Sequence, residues 1–268
     1  MESNFRIPQT PFLKNTVHSF WQTKRKTDFQ TEIIIPKGIV EIIFNFSEQY
    51  TIHAQFGEKQ YQLPKCFING FNTRPVQIQL PGHQFFFGIR FHPTAIQDIF
   101  GVPAGEFANH SVDLTLIDPS IDSLWHQLIE QTGFDDKISL VTKWLLSRIY
   151  KSTHQESMLN YFLNTTGQEI PSVRELSKII CYSPRQLTRK LNELTGMNTE
   201  EILLYKRYLQ SLDLIQHSKL SLTEIAYSCR FSDQSHFIKT FKSLAQMTPG
   251  EYRKSKGTIP GHIYKNVR

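Results

Sequence analysis

An internal duplication in the last third of the chain constrains the fold of this sequence most. When the sequence is compared with itself at a shift of about fifty positions, Ser172 to Met197 matches Ser221 to Met247. Each copy contains two apolar stripes at helical spacing, separated by an aromatic residue and a serine. The stripes are Val173, Leu176, Ile179, Ile180 and Leu187, Leu191, Leu194 in the first copy, and Leu222, Ile225, Ala226, Cys229 and Phe237, Phe241, Leu244 in the second. Two short helices joined by a tight turn, repeated once, predict two helix-turn-helix units.

The turn inside each copy predicts where its second helix begins. Ser183 and Ser232 are placed so that each side-chain oxygen can accept a hydrogen bond from a free backbone amide of that helix. Pro184 suits the first helical position, where no amide donor is needed. Both second helices are therefore predicted to be capped by a serine.

The outward faces of the two second helices carry the candidate DNA contacts. If the apolar stripes face inward, polar and basic side chains must face outward, and no acidic cluster opposes a phosphate backbone. Such side chains contact base edges and phosphates in protein–DNA complexes. They are Arg185, Thr188, Arg189 and Asn192 in the first unit and Gln234, Ser235, His236 and Lys239 in the second.

A single long helix is predicted between the two copies, from Thr199 to His217. Ile202, Tyr205, Leu209 and Leu212 recur at helical spacing, and Lys206, Gln210 and Asp213 are expected on the opposite side. Such a helix spans about 28 Å, close to the roughly 34 Å between successive major grooves on one side of a duplex. A rigid connector of this length could present both second helices to the same side of the DNA.

The net charge of +6 is concentrated in the C-terminal part of the chain. Residues 169–268 contain 16 Lys and Arg against 9 Asp and Glu, whereas residues 1–168 contain 14 against 15. A basic module joined to a neutral one is typical of proteins that bind a polyanion through one domain. Solvated surfaces also carry such an excess by chance, so charge alone does not decide between the two interpretations.

The N-terminal part alternates between strand and turn signals up to about Phe91. Thr31–Pro36, Ile39–Phe46 and the stretch around Val76, Ile78 and Leu80 predict strands, and Phe85, Phe87, Ile89 and Phe91 should share one face of a further strand. Helical spacing follows in Pro93–Phe100, Pro119–Gln131 and Asp135–Tyr150. We therefore predict an α+β fold with an antiparallel β-sheet or barrel domain and trailing helices at residues 1–152. An all-α domain with two helix-turn-helix units is predicted for residues 153–268.

Residues Gln155 to Lys254 resemble the AraC-type (AraC/XylS) transcriptional regulators. The resemblance is carried by Phe231-Ser232-Asp233-Gln234-Ser235-His236-Phe237, by Phe241-Lys242, and by Met247-Thr248-Pro249 with Tyr252-Arg253. It implies a sequence-specific transcription regulator whose two second helices enter successive major grooves. Its expected base readers are Arg185, Thr188 and Arg189 in the first unit and Gln234, Ser235, His236 and Lys239 in the second.

Arg230 departs from the family pattern, which usually has glycine before the Phe-Ser of the second unit. A left-handed backbone there costs a side-chain-bearing residue on the order of 1 kcal/mol. Arg230 is thus expected either to be strained or to offset the cost through a phosphate contact.

The N-terminal half resembles, more loosely, an uncharacterised β-rich domain found ahead of AraC-type DNA-binding domains. Ile35 to Phe46, Thr73-Arg74-Pro75 and Gly88 to Pro93 carry the likeness. By analogy this domain should sense a small molecule, support dimerisation, or both. Arg74 and Arg90 are candidates to bind an anionic effector, although each would serve equally as an exposed strand residue or an ion-pair partner.

Other functional classes find less support in the sequence. Single histidines such as His53, His83 and His92 lack the close spacing of metal ligands, and no catalytic motif is present, so neither a metal, a cofactor nor an enzyme is expected. Cys181 and Cys229 occupy matching places where small core residues are wanted. The expected partners are duplex DNA, a small-molecule effector and, as candidates, RNA polymerase and a second copy of the chain. No membrane partner is expected, and the location expected is the cytoplasm. A ligand-binding protein without DNA activity is the main rival.

Overall fold

The computed structural model describes residues 2–26, 29–47, 52–148, 153–165, 167 and 169–266, and its strands form two antiparallel sheets. The strands are β1 (Glu2–Arg6), β2 (Val17–Lys26), β3 (Phe29–Ile34), β4 (Val40–Asn45), β5 (Ile52–Phe56), β6 (Lys59–Leu63), β7 (Cys66–Asn69), β8 (Val76–Gln79), β9 (His83–Phe91), β10 (Ser111–Asp113) and β11 (His262–Asn266). Sheet A has the order β1-β2-β9-β4-β7-β10, and sheet B has the order β11-β3-β8-β5-β6. The expected antiparallel β domain is confirmed.

Strand β9 shows how alternation divides the two faces of sheet A. Phe87, Ile89 and Phe91 are buried on one face, against helices. Phe86 and Arg90 lie on the other face and line a cavity between the two sheets. The alternation predicted for this strand is therefore confirmed, and it gives sheet A an apolar outer face and a mixed inner face.

Four helices follow or interrupt the strands of the N-terminal part: α1 (Pro11–Lys14), α2 (Pro93–Phe100), α3 (Ser120–Glu130) and α4 (Phe134–Leu146). The buried side chains of α3 and α4, among them Trp125 and Val141, belong to the same core as the outer face of sheet A. Trp125 also donates a hydrogen bond from its indole nitrogen to the Asn45 carbonyl at 3.0 Å. These helices thus remove the outer face of sheet A from solvent.

The C-terminal helices begin where capping residues stand in the sequence. They are α5 (His154–Asn164), α6 (Val173–Ile180), α7 (Pro184–Thr195), α8 (Thr199–His217), α9 (Leu222–Ser228), α10 (Gln234–Ala245) and α11 (Pro249–Ser255). A reciprocal capping box begins α5, α6, α7, α8, α9 and α11. Because each cap satisfies otherwise free amides, each stabilises its helix by about 1 kcal/mol. No helix in the described ranges is both long enough and apolar enough to cross a membrane.

Helix α8 is buried on several sides, against the helix-turn-helix units and against the N-terminal sheets. The Tyr205 hydroxyl donates to the Asn72 carbonyl at 2.8 Å and accepts from the Gly38 amide at 3.0 Å. The Tyr208 hydroxyl donates to the Pro36 carbonyl at 3.1 Å. Lys206, expected on the side opposite the apolar stripe, is buried as well, and its ammonium donates to the carbonyls of Leu163 and Thr165 at the end of α5.

The chain does not stay helical to its end, which corrects the expectation that everything beyond about residue 153 is helical. After α11 it turns back, and β11 pairs antiparallel with β3, with Ile263 opposite Ile33. Ile263 is buried there. The residues after α11 thus extend sheet B, although they lie in the sequence range assigned to the DNA-binding domain. The boundary at residues 152/153 itself stays a prediction, since Lys151 and Ser152 lie outside the described residues.

The two cysteines near the ends of the first helices of the two units have different environments. Cys229 is buried, as expected of a small core residue. Cys181 is exposed, which contradicts the core assignment, because it adopts a left-handed backbone with φ of 59° and ends α6. Arg230 has almost the same φ, 58°, so the left-handed conformation expected there is confirmed. Its guanidinium forms an ion pair with Glu169, and both side chains are exposed.

Replacing Arg230 with glycine should stabilise the chain. Glycine adopts a positive φ without steric cost, and an exposed ion pair contributes little, so Arg230→Gly should raise the free energy of unfolding by up to about 1 kcal/mol. Arg230→Ala keeps the backbone cost and loses the pair, so it should be neutral or slightly destabilising. Chemical denaturation of both variants provides the measurement. A lower stability for Arg230→Gly than for Arg230→Ala would contradict the strain argument.

Candidate nucleic-acid interface and ligand cavity

The first helix-turn-helix unit consists of α6 and α7. Ser183 caps α7 by accepting a hydrogen bond from the Gln186 amide, and Pro184 takes the first position, as predicted. Leu187, Leu191 and Leu194 are buried, so the inward stripe is also confirmed. The burial of these three leucines fixes which side of α7 faces outward.

The predicted base-contacting residues on α7 differ in the exposure of their side chains. Arg185 and Arg189, one helical turn apart, are exposed, and Arg189 has 77% of its side chain exposed beside Glu193 at 3.7 Å. Thr188 is half-buried, and its hydroxyl lies 2.8 Å from the hydroxyl of Thr199 at the start of α8. The two arginines therefore present flexible cations to solvent, whereas Thr188 is held by the connector helix.

The second unit consists of α9 and α10, and its cap corrects the sequence prediction. Asp233, rather than Ser232, is the N-cap of α10, and its carboxylate accepts a hydrogen bond from the His236 amide at 2.8 Å. The sequence offered two adjacent capping residues, and the extended backbone at Asp233 selects the second. Phe237 and Phe241 are buried as expected.

The four predicted readers on α10 fall into two pairs. Ser235 and Lys239 are exposed. Gln234 is half-buried and accepts a hydrogen bond from the Thr223 hydroxyl at 2.7 Å, which links α10 to α9. His236 is half-buried, with its ring edge-on to Phe231 and 3.1 Å from the Ser232 hydroxyl. Ser235 and Lys239 are thus the freer donors of this helix.

A cavity of about 250 Å³ lies between the two sheets. One part of its wall is apolar, with side chains from both sheets: Trp21, Ile34, Ile43, Ile52, Leu63, Phe67, Ile78, Leu80 and Phe86. The other part is charged, with Arg25, Glu32, Lys37, Glu41, Arg90 and His262. The cavity therefore combines an apolar body with one polar end, a combination suited to small-molecule binding.

The structure separates the two arginines that the sequence suggested as effector contacts. Arg90 lines the cavity, and its Nε lies 3.6 Å from a Glu41 oxygen. Arg74 is exposed on the turn before β8 and is not part of the cavity wall. This cavity therefore gives no support to a joint clamp by Arg74 and Arg90, because only Arg90 belongs to its wall. Arg25 and Lys37 are the cavity cations that sequence reasoning missed.

A hydrogen-bonded chain fixes the charged end of the cavity. Burial, reinforced by the Lys37 cation, lowers the pKa of His262 to about 4, so its ring is neutral at neutral pH. The neutral ring can donate from Nδ1 to Glu32 at 2.6 Å and accept at Nε2 from Lys37 at 2.8 Å. Arg25 pairs with the second Glu32 oxygen at 2.9 Å.

Three buried polar atoms of the cavity wall have unmet hydrogen-bonding capacity. Among the described residues, Arg90 Nε, Glu41 Oε2 and Trp21 Nε1 are buried without a hydrogen-bond partner. Burial lowers the pKa of Lys37. With Lys37 protonated and His262 neutral, three cations face two carboxylates at this end, and an anion placed there would favour the charged form of Lys37. An anionic group with free acceptors would offset this charge and could satisfy the two donors.

Comparison with known proteins matches the two parts of the chain separately. A family model described as a helix-turn-helix domain matches residues 176–255, and one described as a domain of unknown function (DUF6597) matches residues 6–113. The HTH-type transcriptional activator RhaS of Salmonella arizonae is 36% identical over 78 residues, which are 29% of this chain and 28% of RhaS. The C-terminal domain is an AraC-type helix-turn-helix domain. The chain matches less than a third of the length of this curated relative.

Two solved structures illustrate the extent of the likeness. An AraC-type DNA-binding domain protein of Chromobacterium violaceum is 27% identical, with a TM-score of 0.31, and the match covers 32% of this chain and 80% of that one. ToxT of Vibrio cholerae is 13% identical, with a TM-score of 0.48, and the match covers 88% of this chain and 98% of that one. A further ToxT structure is described as bound to an unsaturated fatty acid.

The AraC-type domain contacts the N-terminal domain at places that sequence reasoning missed. A 3₁₀ turn at Ala104–Phe107 packs on the end of α7, so closely that a Cβ at Gly105 would lie 2.5 Å from the Asn192 carbonyl oxygen. The two tyrosines of α8 and strand β11 form further contacts, and Asn160 of α5 donates a hydrogen bond to the Thr94 hydroxyl of α2 at 2.7 Å. Nothing in local periodicity indicates such partners, because each lies far away in sequence.

Proposed function

We propose that this protein is a sequence-specific DNA-binding transcription regulator whose helices α7 and α10 enter successive major grooves of a duplex. The observation that carries the proposal is the pair of capped helices in the AraC-type domain, each with its apolar stripe buried and exposed donor side chains on the opposite side. Helix N-termini and cationic side chains are the groups that hold phosphates and read base edges. Arg185 and Arg189 are the proposed first-unit readers, with Thr188 positioned by α8.

Ser235 and Lys239 are the proposed second-unit contacts, with Gln234 and His236 beside them. The buried connector α8 supports a fixed spacing, since a helix of 19 residues spans about 28 Å. The positive charge of residues 169–268 supports the same function, because phosphate contacts dominate DNA affinity. The rival, a ligand-binding protein without DNA activity, would leave these exposed basic side chains without a role.

The cavity between the sheets is the proposed effector site of this regulator. Its charged end holds Arg25, Arg90 and Lys37 against Glu32 and Glu41, and its body is apolar, so its proposed ligand is an organic anion with an apolar part. Arg90, Arg25 and Lys37 supply the cations, and Trp21 adds a donor. This assignment retains Arg90 from the sequence prediction and replaces Arg74.

Arg189→Ala should weaken binding to a selected operator by about 1–3 kcal/mol and relax preference at one or two base pairs, as expected for a base-edge contact. Lys254→Ala is the matched control, because Lys254 is exposed in the last turn of α11. That variant should weaken binding to all sequences alike and flatten the salt dependence. The full chain should be used, since β11 and α8 both pack on the N-terminal domain. The operator is first selected from random duplexes, and fluorescence anisotropy then measures the affinity of each variant for it. A uniform loss for Arg189→Ala would contradict the orientation of α7.

Operators with altered spacing test whether the two units act as one rigid reader. Inserting about 5 bp between the two half-contacts turns the second groove to the opposite side of the duplex, and inserting about 10 bp requires α8 to reach about 34 Å further. Both insertions should abolish specific binding, because the connector is packed rather than tethered. Specific affinity retained with the 10 bp insertion would instead favour two copies of the chain, each reading one half-contact.

The fluorescent probe anilinonaphthalene sulfonate, an apolar body with one negative charge, tests the charge of the cavity. Arg90→Gln should weaken its binding and Glu41→Gln should strengthen it, each about three- to tenfold, because the two changes alter the local charge in opposite directions. N-phenylnaphthylamine, the uncharged counterpart, should be affected little by either change. Fluorescence titration gives the affinities. Weaker probe binding in both variants would indicate damage to the fold and contradict the electrostatic assignment.

A further inference from the structure

The segment Lys256–Asn266, called here the C-terminal strap, connects the second helix-turn-helix unit to the cavity wall. It leaves α11, turns through Gly257 and Gly261, and adds β11 to the edge of sheet B beside β3. The Ile35 amide donates to the Gly261 carbonyl at 2.9 Å and continues this pairing. The strap thus belongs to the AraC-type domain by sequence and to the ligand-binding domain by packing.

At one end the strap forms part of the charged wall of the cavity. Ile259 and His262 are cavity-lining residues, and His262 bridges Glu32 and Lys37. Tyr264, two residues further on, accepts a hydrogen bond from Arg25 at 3.2 Å and stacks beneath its guanidinium. The same two cations that would receive an anionic ligand, Arg25 and Lys37, therefore hold the strap in place.

At the other end the strap is tied to α11 and α8, which pack on helices of the second unit. The Gly261 amide donates to the Tyr252 hydroxyl at 2.9 Å, and that hydroxyl donates to Gln216 Oε1 at 3.1 Å. The Lys256 ammonium donates to the Ile215 and Gln216 carbonyls, both at 2.8 Å, at the end of α8. Tyr252 is fully buried and packs on Phe241 of α10, with 5.9 Å between the ring centroids.

We infer that the C-terminal strap is the element through which an organic anion in the cavity acts on the second helix-turn-helix unit. The inference rests on the proposed effector site. An anion at the charged end competes for Lys37 and Arg25, so His262 and Tyr264 lose their partners and β11 loosens from β3. Gly261 then no longer holds the Tyr252 hydroxyl, so α11, and α10 through the contact of Phe241 with Tyr252, lose this tie to sheet B. Because binding and release are linked, loosening the strap by mutation must in turn favour anion binding.

Gly261→Ala is the variant that detaches the strap. Gly261 has φ of 78°, and an added Cβ would lie 2.9 Å from Lys37 Cγ, so the substitution is strained and also pushes the strap off Lys37. Gly101→Ala is the matched control, because its φ of 70° carries the same backbone cost while its Cβ would meet nothing within 4 Å. A chain that ends at Lys256 removes the strap beyond its first residue, including Gly261 and β11, and serves as a second variant if Gly261→Ala is poorly folded.

Two measurements on the full chain test the inference. Hydrogen exchange in α11, residues Pro249–Ser255, should become at least about tenfold faster in Gly261→Ala. The same increase is expected when the unmodified chain is saturated with anilinonaphthalene sulfonate. Exchange in α6 and α7 should stay unchanged in both cases. The affinity for this probe should rise about fivefold in Gly261→Ala and in the shortened chain, and should stay constant in Gly101→Ala.

The outcomes separate the inference from the proposed effector site. Fast exchange confined to β11, with α11 unchanged, or a probe affinity that is unaltered or reduced in both strap variants, would overturn the strap mechanism and leave the cavity assignment standing. Absence of saturable probe binding to the unmodified chain would instead count against the effector site and the ligand part of the inference. In that case the hydrogen-exchange comparison of Gly261→Ala with Gly101→Ala, which needs no probe, still tests whether detaching the strap loosens α11.

Discussion

The burial of helix α8 is the constraint on which the rest of this structure depends. A helix joining two DNA-binding units could have been exposed on one side, but here its tyrosine hydroxyls bond to backbone groups of the Pro36–Gly38 turn and of Asn72. Buried hydroxyls and buried backbone groups are costly without partners, so each side of the contact requires the other. The contact fixes the connector on the N-terminal domain, and the two units that pack on α8 are fixed with it.

The close approach of Leu209 to Gly38 shows that the contact between α8 and the N-terminal domain leaves no room for a side chain at this position. A Cβ at that position would lie 2.6 Å from a Leu209 methyl carbon, and its backbone has φ of 66°, which favours glycine. Gly105 allows an equally close approach of the 3₁₀ turn to the end of α7. Since close-packed interfaces shift between discrete arrangements rather than deform continuously, a change at the cavity can be transmitted to the units only by breaking contacts of this kind. The C-terminal strap is one contact that the cavity itself touches, and the Pro36–Gly38 turn, through Lys37, is another.

The charged end of the cavity shows how the proposed effector site would also act as a regulatory one. Arg25, Lys37, Glu32 and His262 already satisfy much of one another's hydrogen-bonding capacity, so a ligand entering there must replace contacts rather than simply add them. The neighbouring Arg90 and Glu41 are less well paired and mark where a ligand group gains most. Competition for partners thus couples occupancy to the position of β11.

Local patterns in the sequence determined the helix-turn-helix units, most of their caps, the inward stripes of α7 and α10 and the alternation of β9. These features follow from periodicity, capping and backbone preference, which act over a few residues. The choice of Asp233 over Ser232, the burial of Lys206 and the exposure of Cys181 depended on finer geometry or on distant neighbours. Only the tertiary structure decided that Arg90 and not Arg74 lines the cavity, that Arg25 and Lys37 join it, and that the end of the chain returns to sheet B. These contacts join residues far apart in sequence, and the free energy that selects them comes from burial and hydrogen bonding between elements, which no local pattern records.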